Sequence, residues 1–176
     1  MHALIVGDRG VGKSTLIRRV LKELNCPVFG YETKKEEWLE DPLLGCPIYI
    51  YEAGKPHFQI PENLIGHHKE RDVVSMTAAF DRYAPKLLSP VPGRAIVELD
   101  EVGFLETKSV AFCQAILRLL DGSTPVIAAV KNKDIPFLNA IRSHPNARCF
   151  YITAENRDAL FEEVLEFMKL QLEECL

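Results

Sequence analysis

The sequence predicts an α/β fold, a mostly parallel sheet with helices on both faces. Short apolar runs alternate along the chain with amphipathic segments, the order that builds successive βαβ units. Residues 125–130 form a nearly continuous apolar run, as expected of a central parallel strand covered on both sides. Residues 2–6 are a similar run ending in Gly7, and a helical pattern follows at 13–25, where Leu16, Ile17, Val20, Leu21 and Leu24 share one face. Between 28 and 60 the texture changes. Tyr49, Ile50 and Tyr51, a Gly54/Pro56 turn, then Phe58 and Ile60 predict a β-hairpin insertion near 46–60. A helix is expected over 71–88, with Val74, Ala78, Tyr83 and Leu87 turned inward. A strand at 94–99 and a helix at 107–120 stopped by Gly122 come next. The 125–130 strand, a short helix at 135–143, a strand at 148–153 and a last helix at 156–174 complete the chain. In that last helix Leu160, Val164, Met168 and Leu172 recur every four residues.

Composition narrows the class. The chain has 176 residues, 47% hydrophobic and 26% charged, which suits one domain over 1–176 with its own core. No apolar run approaches the roughly 20 residues needed to span a bilayer, and no signal-peptide pattern precedes Gly7. A formal charge of −4 argues against non-specific nucleic-acid binding. Five scattered cysteines without a C-x-x-C pair argue against a disulfide framework or a zinc site, and a cytoplasmic location is expected.

The strongest motif spans residues 7–15. Gly7, Asp8, Arg9, Gly10, Val11, Gly12, Lys13, Ser14 and Thr15 satisfy G-x-x-x-x-G-K-[ST] between a strand and an amphipathic helix. Such a phosphate loop (P-loop) turns backbone N–H groups inward around an anion, and the glycines at 7, 10 and 12 permit the dihedrals and the close approach. The helix that follows presents unpaired N–H groups and its positive dipole end to the same anion. Lys13 can reach the β- and γ-phosphates of a nucleoside triphosphate, and Ser14 can place its hydroxyl on Mg²⁺. A plain glycine turn is the alternative, but nothing structural demands Lys-Ser after its last glycine.

A second motif lies at the end of the 94–99 strand. Glu98 interrupts an apolar run that then ends in Asp100 and Glu101. In a parallel sheet, ligands sit beyond the carboxyl ends of the strands, so these acids fall on the rim of the phosphate loop. Asp100 is placed to hold Mg²⁺ with Ser14, and Glu101 to take a proton from water attacking the γ-phosphate. Glu98 shares the face of Asp100 by strand alternation. The bland alternative is a solvated turn beginning at the strand end.

Three stretches resemble the cancer-related nucleoside-triphosphatase family, small RecA-like P-loop proteins. They are residues 7–15, residues 97–106 with the acid pair, Gly103 and Glu106, and residues 151–158 with Glu155, Asn156 and Arg157. The resemblance spans most of the chain and implies a P-loop three-layer sandwich. It also implies Mg²⁺-dependent hydrolysis of the β–γ bond of ATP, GTP or other triphosphates, with Lys13 on phosphate, Ser14 and Asp100 on metal and Glu101 on water. Where the family carries a glycine- and arginine-rich stretch after its second strand, this chain has residues 30–38 instead.

Two other classes compete. Asp100 to Gly103 fits the D-x-x-G pattern of a GTP-binding switch, and Lys131, Asn132, Lys133 and Asp134 echo N-K-x-D, but Asp134 comes one residue too early. A P-loop kinase of a small metabolite would need basic residues at 61–90, and His67, His68, Lys69, Arg71, Arg82 and Lys86 offer them at irregular spacing. Arg9 and Arg71 are candidates for stabilising charge on a γ-phosphoryl group; an isolated domain with no arginine from a protein partner should hydrolyse slowly. His67 and His68 lack further ligands at metal-binding spacing and are expected in an exposed loop. Tyr49, Tyr51 and Phe58 read equally as hairpin packing or a binding face, and the cysteines as packing residues. The pattern gives no account of Trp38.

Overall fold

A computed structural model describes residues 1–70, 72–91 and 93–174; Arg71 and Cys175, considered above, lie outside the described residues. Eight strands and five helices are described: β1 His2–Gly7, α1 Lys13–Leu24, β2 Val28–Lys35, β3 Cys46–Glu52, β4 Leu64–Lys69, β5 Asp72–Ser75, α2 Thr77–Leu87, β6 Ile96–Val102, α3 Val110–Asp121, β7 Val126–Lys131, α4 Pro136–Arg142, β8 Ala147–Tyr151 and α5 Arg157–Glu173. They form one sheet of order β5-β4-β3-β2-β6-β7-β1-β8. The strands from β2 to β8 in that order are parallel, and β3, β4 and β5 extend the β2 edge antiparallel.

Side-chain alternation divides the interior into two layers. Leu4, Val6, Val97, Leu99, Ala128 and Val130 face one core, with Phe80 of α2, Phe112 of α3 and Leu138 of α4. Ala3, Ile5, Ile127 and Ala129 face the other, with Ile17 and Val20 of α1 and Val164 and Met168 of α5. Both faces of the central strands are therefore covered, which is why those strands read as unbroken apolar runs. The result is the P-loop three-layer sandwich.

The insertion departs from the expected hairpin at 46–60. β3 pairs with β2 on one side and with β4 on the other, while residues 58 and 60 lie outside any strand. Pro56 and Pro61 remove backbone donors from the stretch that would have paired, and a 3₁₀ turn at Pro61–Asn63 delays the return strand. Phe58 is exposed and lines a cavity with Tyr51, whose ring stacks on that of Tyr49. Beyond the β2–β3 ladder, Glu36 ties the stretch after β3 to the end of β2. Its buried carboxylate accepts from Trp38 Nε1 at 2.8 Å, Tyr51 Oη at 2.9 Å and Gln59 Nε2 at 3.2 Å. Burial opposes ionisation there, and those donors outweigh it and hold the carboxyl below its ordinary value. Trp38 thus has a bonding role although its ring is exposed.

The helix expected over 71–88 is also corrected. Asp72–Ser75 is strand β5 on β4, consistent with the β-branched pair Val73 and Val74, and α2 begins only at Thr77. The inward residues are Ala79, Phe80, Tyr83, Ala84 and Leu87, whereas Val74 and Ala78 are exposed. His67 and His68 lie in β4 and not in a loop. α3 starts at Val110, later than expected, because the Ser109 side chain caps it by accepting from Phe112 N at 3.1 Å.

Phe112 is fully buried and touches the rings of Tyr31, Phe80 and Tyr83. Phe112→Ala should lower stability by about 3–5 kcal/mol in equilibrium urea unfolding. A loss below roughly 1 kcal/mol would mean that α2 and α3 do not pack on the sheet as described.

Candidate active site

β1 ends at Gly7, and the loop to α1 owes its shape to its glycines. A Cβ at Gly7 would lie 2.8 Å from the Ile152 side chain, so this position admits the residue just after β8 closely. Gly12 has φ 107°, a left-handed conformation that directs the chain into α1. No side chain caps α1 and no acid occupies its first turn, so its leading N–H groups face the loop interior. Lys13 is buried, its Nζ donating to Gly7 O at 2.9 Å and Asp8 O at 2.7 Å. Burial lowers the Lys13 pKa, with the Glu101 charge opposing that shift.

The acidic strand end meets this loop. β1 and β6 both pair in parallel with β7, so their carboxyl ends reach one rim. Ser14 Oγ donates to Asp100 Oδ1 at 2.9 Å. Burial raises the Asp100 carboxyl; the Ser14 hydrogen bond works against that, and the nearby Glu101 charge adds to it. The residues fit a Mg²⁺ ion: a hydroxyl and a carboxylate oxygen on one small centre are the donors that ion prefers, and a cation would offset the unfavourable burial of Asp100. Glu98 is buried one strand repeat away, and burial lifts its carboxyl to about 7, with the Glu32 and Asp100 charges adding.

Glu101 is set by a bulge. In the β6–β7 register, Leu99 opposes Ala128 but Val102 opposes Val130, so β6 carries one extra residue. Glu101 sits there with φ 49°, in the left-handed region that a non-glycine residue occupies only when its surroundings hold it. The bulge turns its carboxylate off the sheet toward Lys131, whose Nζ lies 3.6 Å from Glu101 Oε1. Gly103 makes room for this pair, because a Cβ there would lie 2.8 Å from Lys131 Cδ. Glu106 is buried beneath them and accepts from Gly103 N at 2.8 Å. Its burial pushes the carboxyl up to about 7 against that hydrogen bond and Lys131.

The structure therefore brings Gly7, Gly12, Lys13, Ser14, Asp100 and Glu101 to one rim. Asp8 contributes its carbonyl to Lys13, and Val11 packs against Gly7. Gly10 takes φ 82° with open space around it. Arg9 lines a cavity of about 300 Å³ with Glu101, and Thr15 lines a smaller one of about 160 Å³ with Arg157. Lys131 and Glu106 reach the site without having been singled out for it. Lys131 was visible only as part of the guanine-like pattern, and Glu106 only as part of a motif. In that pattern Asp134 Oδ1 accepts from Asn139 Nδ2 at 2.8 Å, and Lys131 is turned to Glu101, so neither side chain is arranged for a base. Among the described residues no group of three or more His, Cys, Asp or Glu could hold a metal ion, His67 and His68 included. No helix among them is long and apolar enough to cross a membrane.

With the loop and the paired acids on one rim, a protein-family model described as NTPase matches residues 2–165. The chain belongs to the NTPase family. It is 25% identical to nucleoside-triphosphatase THEP1 of Aquifex aeolicus, covering 96% of this chain and 99% of that protein. It is 29% identical to the cancer-related nucleoside-triphosphatase homolog of Bos taurus, covering 96% of each. Two solved structures share the fold at 23% identity. The crystal structure of Aquifex aeolicus THEP1 has a TM-score of 0.64, covering 95% of this chain and 98% of that one. The solution structure of a human cancer-related nucleoside triphosphatase has 0.63, covering 95% and 96%. Within the C-terminal element noted above, Asn156 shapes the loop: its side chain accepts from Thr153 N and donates to Tyr151 O, both at 2.8 Å. Arg157 then lies beside Gly12.

Glu106 gives this NTPase family member a pH signature. Its carboxyl sits at about 7 when folded, against 4.5 as its ordinary value, so the unfolded chain releases the proton first as pH rises. Stability is unaffected by this group below about pH 4.5 and falls between 4.5 and 7. Replacing Glu106 with Gln keeps the acceptor for Gly103 and removes that fall. Between pH 4.5 and 7.5 the stability difference should move in favour of the variant by on the order of 3 kcal/mol in urea unfolding. A difference independent of pH would show that Glu106 titrates alike in both states.

Proposed function

We propose that the chain is a Mg²⁺-dependent nucleoside-triphosphate phosphohydrolase, acting as one domain over residues 1–176 on the β–γ bond of ATP or GTP. The observation that carries this reading is the 2.9 Å bond from Ser14 to Asp100, with Glu101 the next residue along a bulged strand. It supports a division of labour among neighbouring groups. The backbone from Gly10 to Thr15 and the Lys13 ammonium hold the phosphates, Lys13 exchanging its contacts with the Gly7 and Asp8 carbonyls for phosphate oxygens. Ser14 and Asp100 hold Mg²⁺, which when bound neutralises charge on the β- and γ-oxygens. Glu101 accepts the proton of the attacking water. Its carboxylate is partly exposed and in reach of solvent, whereas Glu106 is buried. Lys131 lies 3.6 Å from Glu101, and Arg9 lines the same cavity. Hydrolysis is slow unless a protein partner adds a further positive group.

Three outcomes test this assignment. Lys13→Ala should weaken binding of a fluorescent ATP analogue by at least roughly tenfold, and unchanged affinity would remove the phosphate loop from consideration. Glu101→Gln should preserve that binding while phosphate release falls by about 100-fold or more; undiminished turnover would give the base to another group. Chelation by EDTA should abolish phosphate release and added Mg²⁺ should restore it, measured with ATP, GTP, CTP and UTP side by side.

A further inference from the structure

The phosphate loop is flanked by two cavities of different character. The smaller, about 160 Å³, opens on the helix side and is lined by Gly12, Thr15, Arg19 and Arg157. The larger, about 300 Å³, lies beyond Glu101, and the loop contributes only Arg9 to it. A single water in the liquid takes up about 30 Å³, so a nucleophilic water does not account for a space roughly ten times that size. The volume falls at the lower end of small-molecule sites. One wall is Glu101 with Lys131; the facing wall is supplied by Lys35 of β2, Ile48 of β3, His68 of β4 and Val73 of β5. The antiparallel extension thus brings three strands to the space in front of the proposed base. Lys35 stands opposite Ile48, and Gly66 lets β5 approach closely, because a Cβ there would collide with the Val74 carbonyl. Arg9, Lys34, Lys35 and Lys131 outnumber the acids Glu101 and Glu106 on the lining, and Glu106 is buried. The lysines hold Glu36, Glu37 and Glu101 at 3.5, 2.8 and 3.6 Å, and the Lys35–Glu37 pair involves a mostly exposed carboxylate that exchanges readily for another anion.

We infer that this cavity is a second substrate site, for a small organic monophosphate bearing a free hydroxyl, to which the γ-phosphoryl group is transferred. The inference rests on the phosphate-loop and Glu101 assignments above and adds an acceptor to them. The phosphate of the acceptor pairs with Lys35 and His68, and its hydroxyl points to Glu101. The hydroxyl oxygen forms a bond to the γ-phosphorus while the bond from that phosphorus to the β–γ bridging oxygen breaks. The breaking bond's electron pair leaves on the nucleoside diphosphate, and the hydroxyl proton passes to the Glu101 carboxylate. The products are a phosphate ester and a nucleoside diphosphate. Water entering the same space gives hydrolysis.

The test follows ADP and inorganic phosphate separately for the full chain with Mg²⁺-ATP, with ribose 5-phosphate or glycerol 3-phosphate as probe. ADP should exceed inorganic phosphate when a probe is present, the missing phosphate appearing as a new ester in ³¹P NMR. Lys35→Glu should raise the probe concentration needed for half-maximal ester formation by about tenfold or more. Equal amounts of ADP and inorganic phosphate with both probes would overturn the acceptor site, as would ester formation indifferent to Lys35→Glu. Reactions without a probe separate the two ideas. Phosphate release there with no ester in the presence of probes leaves hydrolysis standing and the acceptor site overturned. Ester formation with no release in its absence supports the acceptor site and removes the hydrolase reading. Neither product under any condition overturns both.

Discussion

The parallel pairing of β1, β7 and β6 is the constraint on which the site depends. A loop and a carboxylate 86 residues apart in the sequence meet only because these strands run the same way and end on one rim. The Ser14–Asp100 hydrogen bond closes that arrangement. It joins the first turn of α1 to the end of β6 across the intervening strand. Its partners are buried enough that misalignment would leave a carboxylate without compensation. The two cores serve this geometry. Phe112 and its neighbours on one side, and α1 with α5 on the other, hold the sheet in the register that the rim requires.

The bulge at Glu101 is the second device. A regular strand would place Asp100 and Glu101 on opposite faces, one of them turned into a core. An extra residue in β6 and a left-handed backbone at Glu101 free both acids for the rim at once. Glycine at 103 and the buried Glu106 keep the following turn narrow, and Lys131 lies across it. The electrostatics follow from depth: Glu106 and Glu98 are held near 7 by burial, while Glu101 remains at the surface beside a lysine. Three carboxyl groups within a few residues thus differ in depth and in the neighbours each has.

Much of this was legible in the sequence, and the illegible parts share a cause. The central strands, α1, α3, α4 and α5 were readable because burial on two faces or one stripe leaves a periodic trace. β2, β4 and β5 left little, since half-buried strands with histidine, lysine and threonine on their open side lack a continuous apolar run. On α2, Tyr83 and Leu87 face inward as expected, whereas Val74 and Ala78 do not, because strand β5 was taken into the helix. At the site, Lys13, Ser14, Asp100 and Glu101 announced themselves by residue type and spacing. Lys131 did not, because its proximity to Glu101 arises from two different strands.

The sequence by itself determined the α/β class, the phosphate-loop motif and the acids beside it, because each is written in local pattern: period, glycine placement, charge at a strand end. Tertiary structure alone decided which groups touch. The bulge that aims Glu101, the lysine that meets it, and the cavity between Glu101 and the antiparallel strands all come from pairing between segments far apart in the chain. Such pairing is set by packing of whole faces, and no short stretch of residues encodes it.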